Sequence, residues 1–238
     1  GIDYEEFNPA TDPLLPSNYS LHRLGGRSKN KIALQKEFSL PLGEEKFVLA
    51  MVSRLTEQKG LDILLEVLPH LLTELDLQFV IVGGGEGRYQ EAFRDLKQRF
   101  PQKVGTHLMP NFTLPRLVFG GADTLVMPSR FEPAGLTQLE AMRYGCVPIV
   151  RKTGGLADTV EDFNAAEEKG TGFVFEEYDP WALYGAIVRS LEAFRYRRVW
   201  EKLVRRAMAA DFSWATSAKH YGELYEKAIQ FKHRPGGE

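Results

Sequence analysis

The clearest indication of the fold lies in residues 47–68, whose sequence is FVLAMVSRLTEQKGLDILLEVL. Residues 47–52 form an apolar run of strand length, and the polar segment 53–60 separates this run from a helical pattern. In that pattern apolar residues recur at the spacing of one helix face, at Leu61, Leu64, Leu65 and Leu68. A buried strand, a loop and an amphipathic helix in this order predict the start of a βαβ unit.

The same alternation continues along the chain. Further apolar runs predict strands at 77–82, 104–108, 124–127, 147–150 and 172–175. Helical periodicity lies before, between and after these runs, at 29–38, 86–99, 114–121, 136–144, 181–194 and 196–231, the last one interrupted at 211–214. Strands that alternate with helices predict an α/β fold, a Rossmann-like doubly wound parallel sheet with helices on both faces.

Three segments are expected from the distribution of these elements. Residues 1–28 contain Pro9, Pro13 and Pro16 among polar residues and predict an irregular surface arm. Residues 29–210 form the predicted Rossmann-like domain. Residues 211–238 form a C-terminal helical segment, for which Ser213 is the expected N-cap.

Composition excludes several classes of function. Lys and Arg number 30 against 32 Asp and Glu, and this near-neutral balance argues against a general nucleic-acid or anionic-membrane surface. No apolar run reaches the roughly 18 residues of a membrane span. The single cysteine, Cys146, rules out a disulfide within the chain and suits a reducing compartment. The first residues lack Met, so we expect a fragment of a longer protein.

Two cations follow the first predicted strand, just before the helix. Arg54 and Lys59 lie near a helix N-terminus, which already carries partial positive charge, so an anion between them would be stabilising. A diphosphate suits this arrangement. The alternative is a solvated polar loop in which Gly60 simply fits a turn.

A second candidate loop, PSRFEPAGLTQLE at 128–140, follows the strand at 124–127. A helix is expected to begin near Gly135 or Leu136, which would leave the Leu136 and Thr137 amides free to bind phosphate. Glu132 precedes this helix, where its carboxylate can accept hydrogen bonds from sugar hydroxyls.

Glu140 lies eight positions after Glu132 and is expected to face the same pocket or its rim. The alternative makes both glutamates favourable charges near a helix N-terminus. That alternative explains Glu140 adequately, but it does not explain why Glu132 stands beside a proline.

Glycines follow two further strands. Gly154 and Gly155 open a short helix after the strand at 147–150 and could offer backbone amides to a ligand. Gly83–Gly85 lack the third glycine of a dinucleotide fingerprint, because Arg88 occupies that position, so a tight turn is the better interpretation there. Phosphate-compatible loops at three neighbouring strand ends together favour a nucleotide site.

Other kinds of site find no support in the sequence. The five histidines are scattered without metal-ligand spacing, and no Asp-x-Asp pair occurs that would hold a metal on a diphosphate. Serine-hydrolase and P-loop motifs are absent. Cys146 leads into an apolar strand and is expected to be a buried small hydrophobe.

Several motifs in the right order resemble the bacterial and plant glycogen and starch synthases of glycosyltransferase family 5. They are GID at 1–3 with NP at 8–9, SRLTEQKG at 53–60, PSRFEPAGLTQ at 128–138, RYG at 143–145, KTGGLADTV at 152–160, TGF at 171–173 and DFSW at 211–214. The resemblance spans nearly the whole chain. One departure is Ala134, where the family usually has Cys.

The resemblance implies the C-terminal, donor-binding lobe of a two-lobed GT-B enzyme. Arg54 and Lys59 would bind the diphosphate of ADP-glucose, Glu132 the glucose hydroxyls, and the Leu136 and Thr137 amides the distal phosphate. Glucose would pass with retention to the 4-hydroxyl of an α-1,4-glucan, with no metal or other cofactor. The location implied is the bacterial cytoplasm or the plastid stroma.

The family's N-terminal lobe carries its own Lys-Thr-Gly-Gly loop, whereas this chain has only the one at 152–155. We therefore expect the chain alone to bind ADP or ADP-glucose weakly and not to elongate glucan, which would bind through the other lobe. The last helix resembles the segment that crosses back to that lobe. Its apolar face is expected to be exposed or to drive self-association, through Tyr221, Leu224, Tyr225 and Ile229.

Three alternatives stay open at this point. One is another GT-B glycosyltransferase, such as a sucrose-forming or mannose-transferring enzyme. Another is a glucan-binding or regulatory module that has lost the chemistry, against which the joint retention of Arg54, Lys59 and Glu132 argues. A third is a dinucleotide-binding oxidoreductase, which the incomplete glycine pattern disfavours.

Overall fold

A computed structural model describes residues 1–232 of the chain. Its strands are β1 (Phe47–Val52), β2 (Leu77–Val82), β3 (Val104–His107), β4 (Thr124–Met127), β5 (Val147–Arg151) and β6 (Phe173–Phe175). They form one parallel sheet in the order β3-β2-β1-β4-β5-β6. Every residue of β2 and β4 is buried, as expected for central strands covered on both faces. The predicted parallel sheet is confirmed.

Helices precede, connect and follow these strands. They are α1 (Gly26–Glu37), α2 (Leu61–Glu74), α3 (Gly87–Arg99), α4 (Leu114–Gly121), α5 (Thr137–Arg143), α6 (Gly154–Thr159), α7 (Pro180–Arg195), α8 (Arg197–Ala209) and α9 (Trp214–Lys232). On one side of the sheet α2 packs against α3 and α7, and on the other α4 packs against α1 and α5. This strand order with helices on both faces is the doubly wound arrangement that the sequence predicts.

Helix α1 begins at Gly26, three residues before the helical pattern that the sequence shows. Its N-cap is Gly25, which has no side chain to cap the helix. Because the usual Ser, Thr, Asp or Asn signal is missing, the start of this helix could not be located from the sequence.

The N-terminal arm is irregular and most of it is exposed or partly exposed, but a few of its side chains are buried. Leu15 and Tyr19 are buried in the main core, and the Tyr19 hydroxyl donates to the Tyr144 carbonyl at 2.6 Å. Polar side chains satisfy the irregular backbone locally: Asp12 accepts from the Leu14 amide, and the Asn18 amide group donates to the Asp12 carbonyl. Irregular backbone can therefore be buried here without unpaired polar groups.

The last helix stands apart from the core. The Ser213 hydroxyl accepts from the Thr216 amide at 3.3 Å, which confirms its role as the N-cap. No residue of α9 is buried, and the four apolar side chains predicted to form its face are all exposed: Tyr221, Leu224, Tyr225 and Ile229. The predicted segment 211–238 extends past the described residues, because 233–238 lie outside them. Among residues 1–232, no helix is long and apolar enough to cross a membrane.

Candidate functional site

The candidate site lies at the carboxyl edge of the sheet, between β1 and β4. After β1 the chain turns towards β2, whereas after β4 it turns towards β5, so strand order reverses at this point. Open α/β sheets bind ligands in the crevice at such a reversal. A cavity of about 190 Å³ occupies the crevice, and residues from both strand ends line it, among them Arg54, Lys59, Ser129 and Thr137.

Lys59 and Glu132 meet in this crevice although 73 positions separate them. The Lys59 ammonium lies 2.5 Å from Glu132 Oε2, and the two side chains are 15% and 8% exposed. Ser129 donates from its hydroxyl to the same oxygen at 3.3 Å. A largely desolvated ion pair therefore joins the first predicted loop to the second.

Arg54 lies on the wall of the same cavity and is exposed. Among the ion pairs of residues 1–232, none involves Arg54, whereas Lys59 is held by Glu132. The crevice thus carries one cation that is free to bind an anion and one that is shared with a carboxylate. Arg54 and Lys59 therefore lie beside one cavity, and their binding of a diphosphate stays a prediction.

Gly60 sets the distance between the two loops. Its φ is +70°, and a Cβ there would lie 1.9 Å from the Pro128 carbonyl oxygen. The Arg130 amide donates to the Gln58 carbonyl at 2.9 Å across the same junction. Only glycine permits both this conformation and this approach, so the turn that carries Lys59 is fixed against the loop that carries Glu132.

The amides of the second loop are placed close to where the sequence predicts. Helix α5 begins at Thr137 with Leu136 as its N-cap, and Gly135 has φ +68°. The Leu136 carbonyl accepts from the Leu139 and Glu140 amides. Neither the Leu136 amide nor the Thr137 amide has a hydrogen-bond partner in the part of the chain that the structure describes.

The Gly154–Gly155 pair has a role that the sequence does not reveal. The Gly155 amide donates to the carbonyls of Glu132 and Pro133 at 3.1 and 3.2 Å. A Cβ on Gly155 would lie 2.1 Å from the Ala134 carbonyl oxygen, and one on Gly154 would lie 2.0 Å from that of Glu132. The Gly155 amide therefore holds the backbone of the Glu132 loop in place through these two hydrogen bonds.

Glu140 neither lines the cavity nor takes part in the contacts of Lys59 and Ser129 with Glu132. Burial raises the pKa of its carboxyl, while nearby Arg116 lowers this pKa and Glu6 raises it. Arg116 donates to the carboxylate of Glu6 at 2.7 Å and lies 3.4 Å from that of Asp12. The structure thus groups Glu140 with charges that hold the N-terminal arm, rather than with Glu132.

Two side chains outside the predicted set support the Glu132 loop. Arg151, at the end of β5, donates to the carbonyls of Ser129 and Arg130 at 3.0 and 2.8 Å. Gln138 donates to the carbonyls of Ala134 and Gly135 at 3.2 and 3.0 Å. A charged residue that ends an otherwise apolar strand is the one sequence signal that could have indicated Arg151.

The Gly83–Gly85 turn supports the first loop. The Leu55 amide donates to the Gly84 carbonyl at 2.9 Å, and the Glu86 amide donates to the Leu55 carbonyl at 2.8 Å. These contacts extend the pairing of β1 and β2 beyond the strands. They fit the tight turn that the sequence favours over a dinucleotide fingerprint.

A larger groove of about 830 Å³ lies at the opposite, amino edge of the sheet. Two of its cations are occupied by structural contacts. Lys31 pairs with Asp123 at 2.8 Å, and Arg27 donates to the carbonyls of Ala122 and Tyr144. These two cations are therefore already used to hold the fold, unlike Arg54 in the crevice at the carboxyl edge.

Comparison with known proteins agrees with this geometry. A glycogen synthase of Desulforudis audaxviator is 46% identical over 231 residues, which cover 97% of this chain and 46% of the relative. The catalytic domain of starch synthase IV from Arabidopsis thaliana, bound to ADP and acarbose, matches with a TM-score of 0.88 at 35% identity, covering 97% of this chain and 48% of that one. The predicted resemblance to glycogen and starch synthases is confirmed.

A more distant neighbour is the sucrose-phosphate synthase of Thermosynechococcus elongatus, with a TM-score of 0.61 at 25% identity, covering 91% of this chain and 52% of that one. The chain spans about half the length of each of these proteins. The family described as Glycosyl transferases group 1 matches residues 34–206. Since that match covers most of the chain, including both loops of the crevice, the chain belongs to the group 1 glycosyl transferases.

Proposed function

We propose that this chain is the donor-binding lobe of a glycogen or starch synthase that transfers glucose from ADP-glucose to the 4-hydroxyl of an α-1,4-glucan with retention. The observation that carries the proposal is that Arg54 and Lys59 line one cavity at the strand reversal and that Lys59 pairs there with Glu132. In support, the Arabidopsis starch synthase with this fold binds ADP and acarbose.

Each side chain has a distinct role in this proposal. Arg54, which has no acidic partner within residues 1–232, binds the diphosphate. Lys59 exchanges part of its contact with Glu132 for a phosphate oxygen, which leaves the Glu132 carboxylate available to glucose hydroxyls. As the bond to glucose breaks, negative charge grows on the departing ADP, and the two fixed cations stabilise it. The Leu136 and Thr137 amides are proposed to bind the distal phosphate.

The proposed transfer needs neither a metal ion nor another cofactor, because Arg54 and Lys59 supply the charge that neutralises the diphosphate. Transfer by the full-length enzyme should therefore persist in excess EDTA. Loss of transfer in EDTA, with recovery on adding Mg²⁺, would contradict this part of the proposal.

The size of the cavity indicates what this lobe contributes. Small-molecule pockets usually enclose roughly 300–1,000 Å³, whereas this one measures about 190 Å³. It can enclose the diphosphate and part of the sugar, and we propose that the other half of the enzyme covers the rest and binds the glucan. The chain alone is accordingly expected to bind ADP weakly and not to elongate glucan.

The decisive test is glucosyl transfer by the full-length enzyme with ADP-glucose, UDP-glucose and GDP-mannose offered separately. We expect transfer from ADP-glucose to a maltooligosaccharide, with an α-linked product by NMR. Glu132→Ala should abolish transfer and leave ADP affinity nearly unchanged. Transfer to fructose 6-phosphate instead would favour a sucrose-forming enzyme, and a large loss of ADP binding in Glu132→Ala would make Glu132 a structural residue.

The exposed face of α9 is proposed to be covered in the full-length protein by the other half of the enzyme. In this chain alone the same face is proposed to cause self-association. Light scattering should show a dimer or larger species that Leu224→Lys converts to a monomer. A monomeric parent chain would contradict the self-association.

A further inference from the structure

A row of aromatic side chains leads away from the rim of the crevice. The first ring of the row is that of Tyr178. The guanidinium carbon of Arg130, two positions before Glu132, lies 4.6 Å from the centre of this ring. The Tyr178 hydroxyl donates to Asp62 Oδ1 at 2.5 Å, and Arg130 pairs with the same carboxylate at 3.1 Å. Tyr178 therefore stands between the Glu132 loop and the outer surface of α2.

The row continues along the groove between α2 and α7. The ring of Trp181 has its centre 5.4 Å from that of His70 and 5.6 Å from that of Tyr184. Tyr184 donates from its hydroxyl to Glu74 at 2.8 Å. We call Tyr178, Trp181, Tyr184 and His70 the aromatic row.

The polar groups beside the row follow the repeat of α2. Asp62, Glu66, His70 and Glu74 recur every four residues and are all exposed, so they form one line on the helix surface. From Asp62 to Glu74 this line extends roughly 18 Å at 1.5 Å per residue. That length accommodates several linked hexose rings.

Trp181 is the most informative member of the row. It is 55% exposed, although an indole gains much free energy when it is buried. Its backbone amide donates to the side chain of Asp179, the N-cap of α7. This hydrogen bond holds the backbone of Trp181 and does not involve its indole ring. A ring that is half exposed and lies beside two other aromatic rings offers apolar surface to solvent.

This combination of groups fits a neutral polyhydroxylated polymer. The C–H faces of hexose rings pack on aromatic faces, and their hydroxyls donate to carboxylates such as Asp62, Glu66 and Glu74. The same carboxylates would repel a polyanion. The row also joins the crevice at Arg130, so a polymer lying along it would reach the rim of the candidate site.

We propose that the aromatic row is an outer binding track for α-1,4-glucan, which keeps the polymer close to the crevice. The inference rests on the proposed function, because it takes the bound polymer to be the acceptor of the proposed transfer. It adds a surface on this lobe to the glucan contacts proposed for the other half of the enzyme.

Affinity electrophoresis in gels with and without glycogen tests the track on this chain. We expect glycogen to retard the parent chain, and Trp181→Ala to weaken binding about fivefold, which corresponds to about 1 kcal/mol. Trp181→Phe should restore most of the retardation. The matched control is Trp214→Ala, which removes an indole that is 63% exposed on α9 and should migrate like the parent chain.

Three results would overturn the track: no retardation of the parent chain, equal retardation of Trp181→Ala, or an equal loss in both tryptophan variants. Stronger retardation by heparin than by glycogen would show an anion-binding surface and would also overturn it. Titration of the same samples with ADP separates the two proposals. ADP binding without a Trp181-dependent effect contradicts the track alone, whereas a Trp181-dependent effect without ADP binding contradicts the donor site alone.

Discussion

Gly155 offers a sharp test of how the Glu132 loop is held. In Gly155→Ala the new Cβ would meet the Ala134 carbonyl oxygen at 2.1 Å, so the two segments must separate by roughly 1 Å before the contact is tolerable. The φ of Gly155 lies outside the left-handed region, so the backbone itself accepts alanine. Any loss of stability therefore comes from the collision and from what it displaces.

The expected loss can be estimated from these contacts. Overpacking of this kind costs about 1–3 kcal/mol. Lengthening the hydrogen bonds from the Gly155 amide to Glu132 and Pro133 adds about 1 kcal/mol. Gly155→Ala should thus lower the free energy of unfolding by about 2–4 kcal/mol. It should also weaken ADP binding, because the displaced Ala134 lies just before the Leu136 and Thr137 amides that are proposed to bind the distal phosphate.

Urea unfolding followed by circular dichroism measures the first effect. The matched control is Gly185→Ala, at a helical position with no atom within 4 Å of its added Cβ, which should gain up to about 1 kcal/mol. If Gly155→Ala unfolds within 0.5 kcal/mol of the parent chain, about the scatter of a neutral surface change, the packing role is wrong. A loss of ADP affinity without a loss of stability would instead indicate that the Gly155 amide binds the ligand.

Three further predictions concern buried groups. Lys59→Ala should destabilise the chain by about 3–5 kcal/mol because it leaves the Glu132 carboxylate buried and unpaired, and Lys59→Met combined with Glu132→Leu should recover most of this in urea unfolding. Burial raises the pKa of Glu140 above its usual 4.5, so the stabilising contribution of the protonated carboxyl is complete below pH 4.5 and is lost as pH rises through the folded-state pKa. In urea unfolding, Glu140→Gln should be more stable than the parent at pH 7 and equal to it at pH 4. Equal stability of the two at both pH values would contradict the raised pKa. Burial raises the pKa of the Cys146 thiol to about 12, so a thiol reagent at pH 8 should modify it only after unfolding, and rapid modification of the native chain would show that it is accessible.

The sheet could be predicted from the sequence because its strands are short apolar runs buried on both faces. All six strands have the predicted bounds or differ from them by one residue at one end, as β5 does by including Arg151. The pairing of Lys59 with Glu132 could be anticipated in outline, since parallel strands bring their following loops to one edge. The burial of Leu15 and Tyr19 in the N-terminal arm could not be predicted, because it depends on partners more than a hundred positions away, such as Tyr144.

The supporting contacts of the site were harder to foresee. A glycine that presents an amide to a ligand and one that packs against another loop look the same in sequence, so the role of Gly155 emerges only from its 2.1 Å approach to Ala134. Glu140 shares a helix with Thr137, but the charges that act on its pKa, Arg116 and Glu6, come from other parts of the chain. The aromatic row is likewise formed by two helices that pack together although they are far apart in the sequence.

The most direct test of the donor site is calorimetric titration of this chain with ADP in EDTA, beside the Arg54→Ala variant and beside NAD. We predict that ADP binds, that NAD does not, and that Arg54→Ala weakens ADP binding by about 1.5–3 kcal/mol, or roughly 10- to 150-fold. Equal ADP affinity in parent and variant, or NAD binding as tight as that of ADP, would contradict the assignment of this crevice to the diphosphate of a sugar donor.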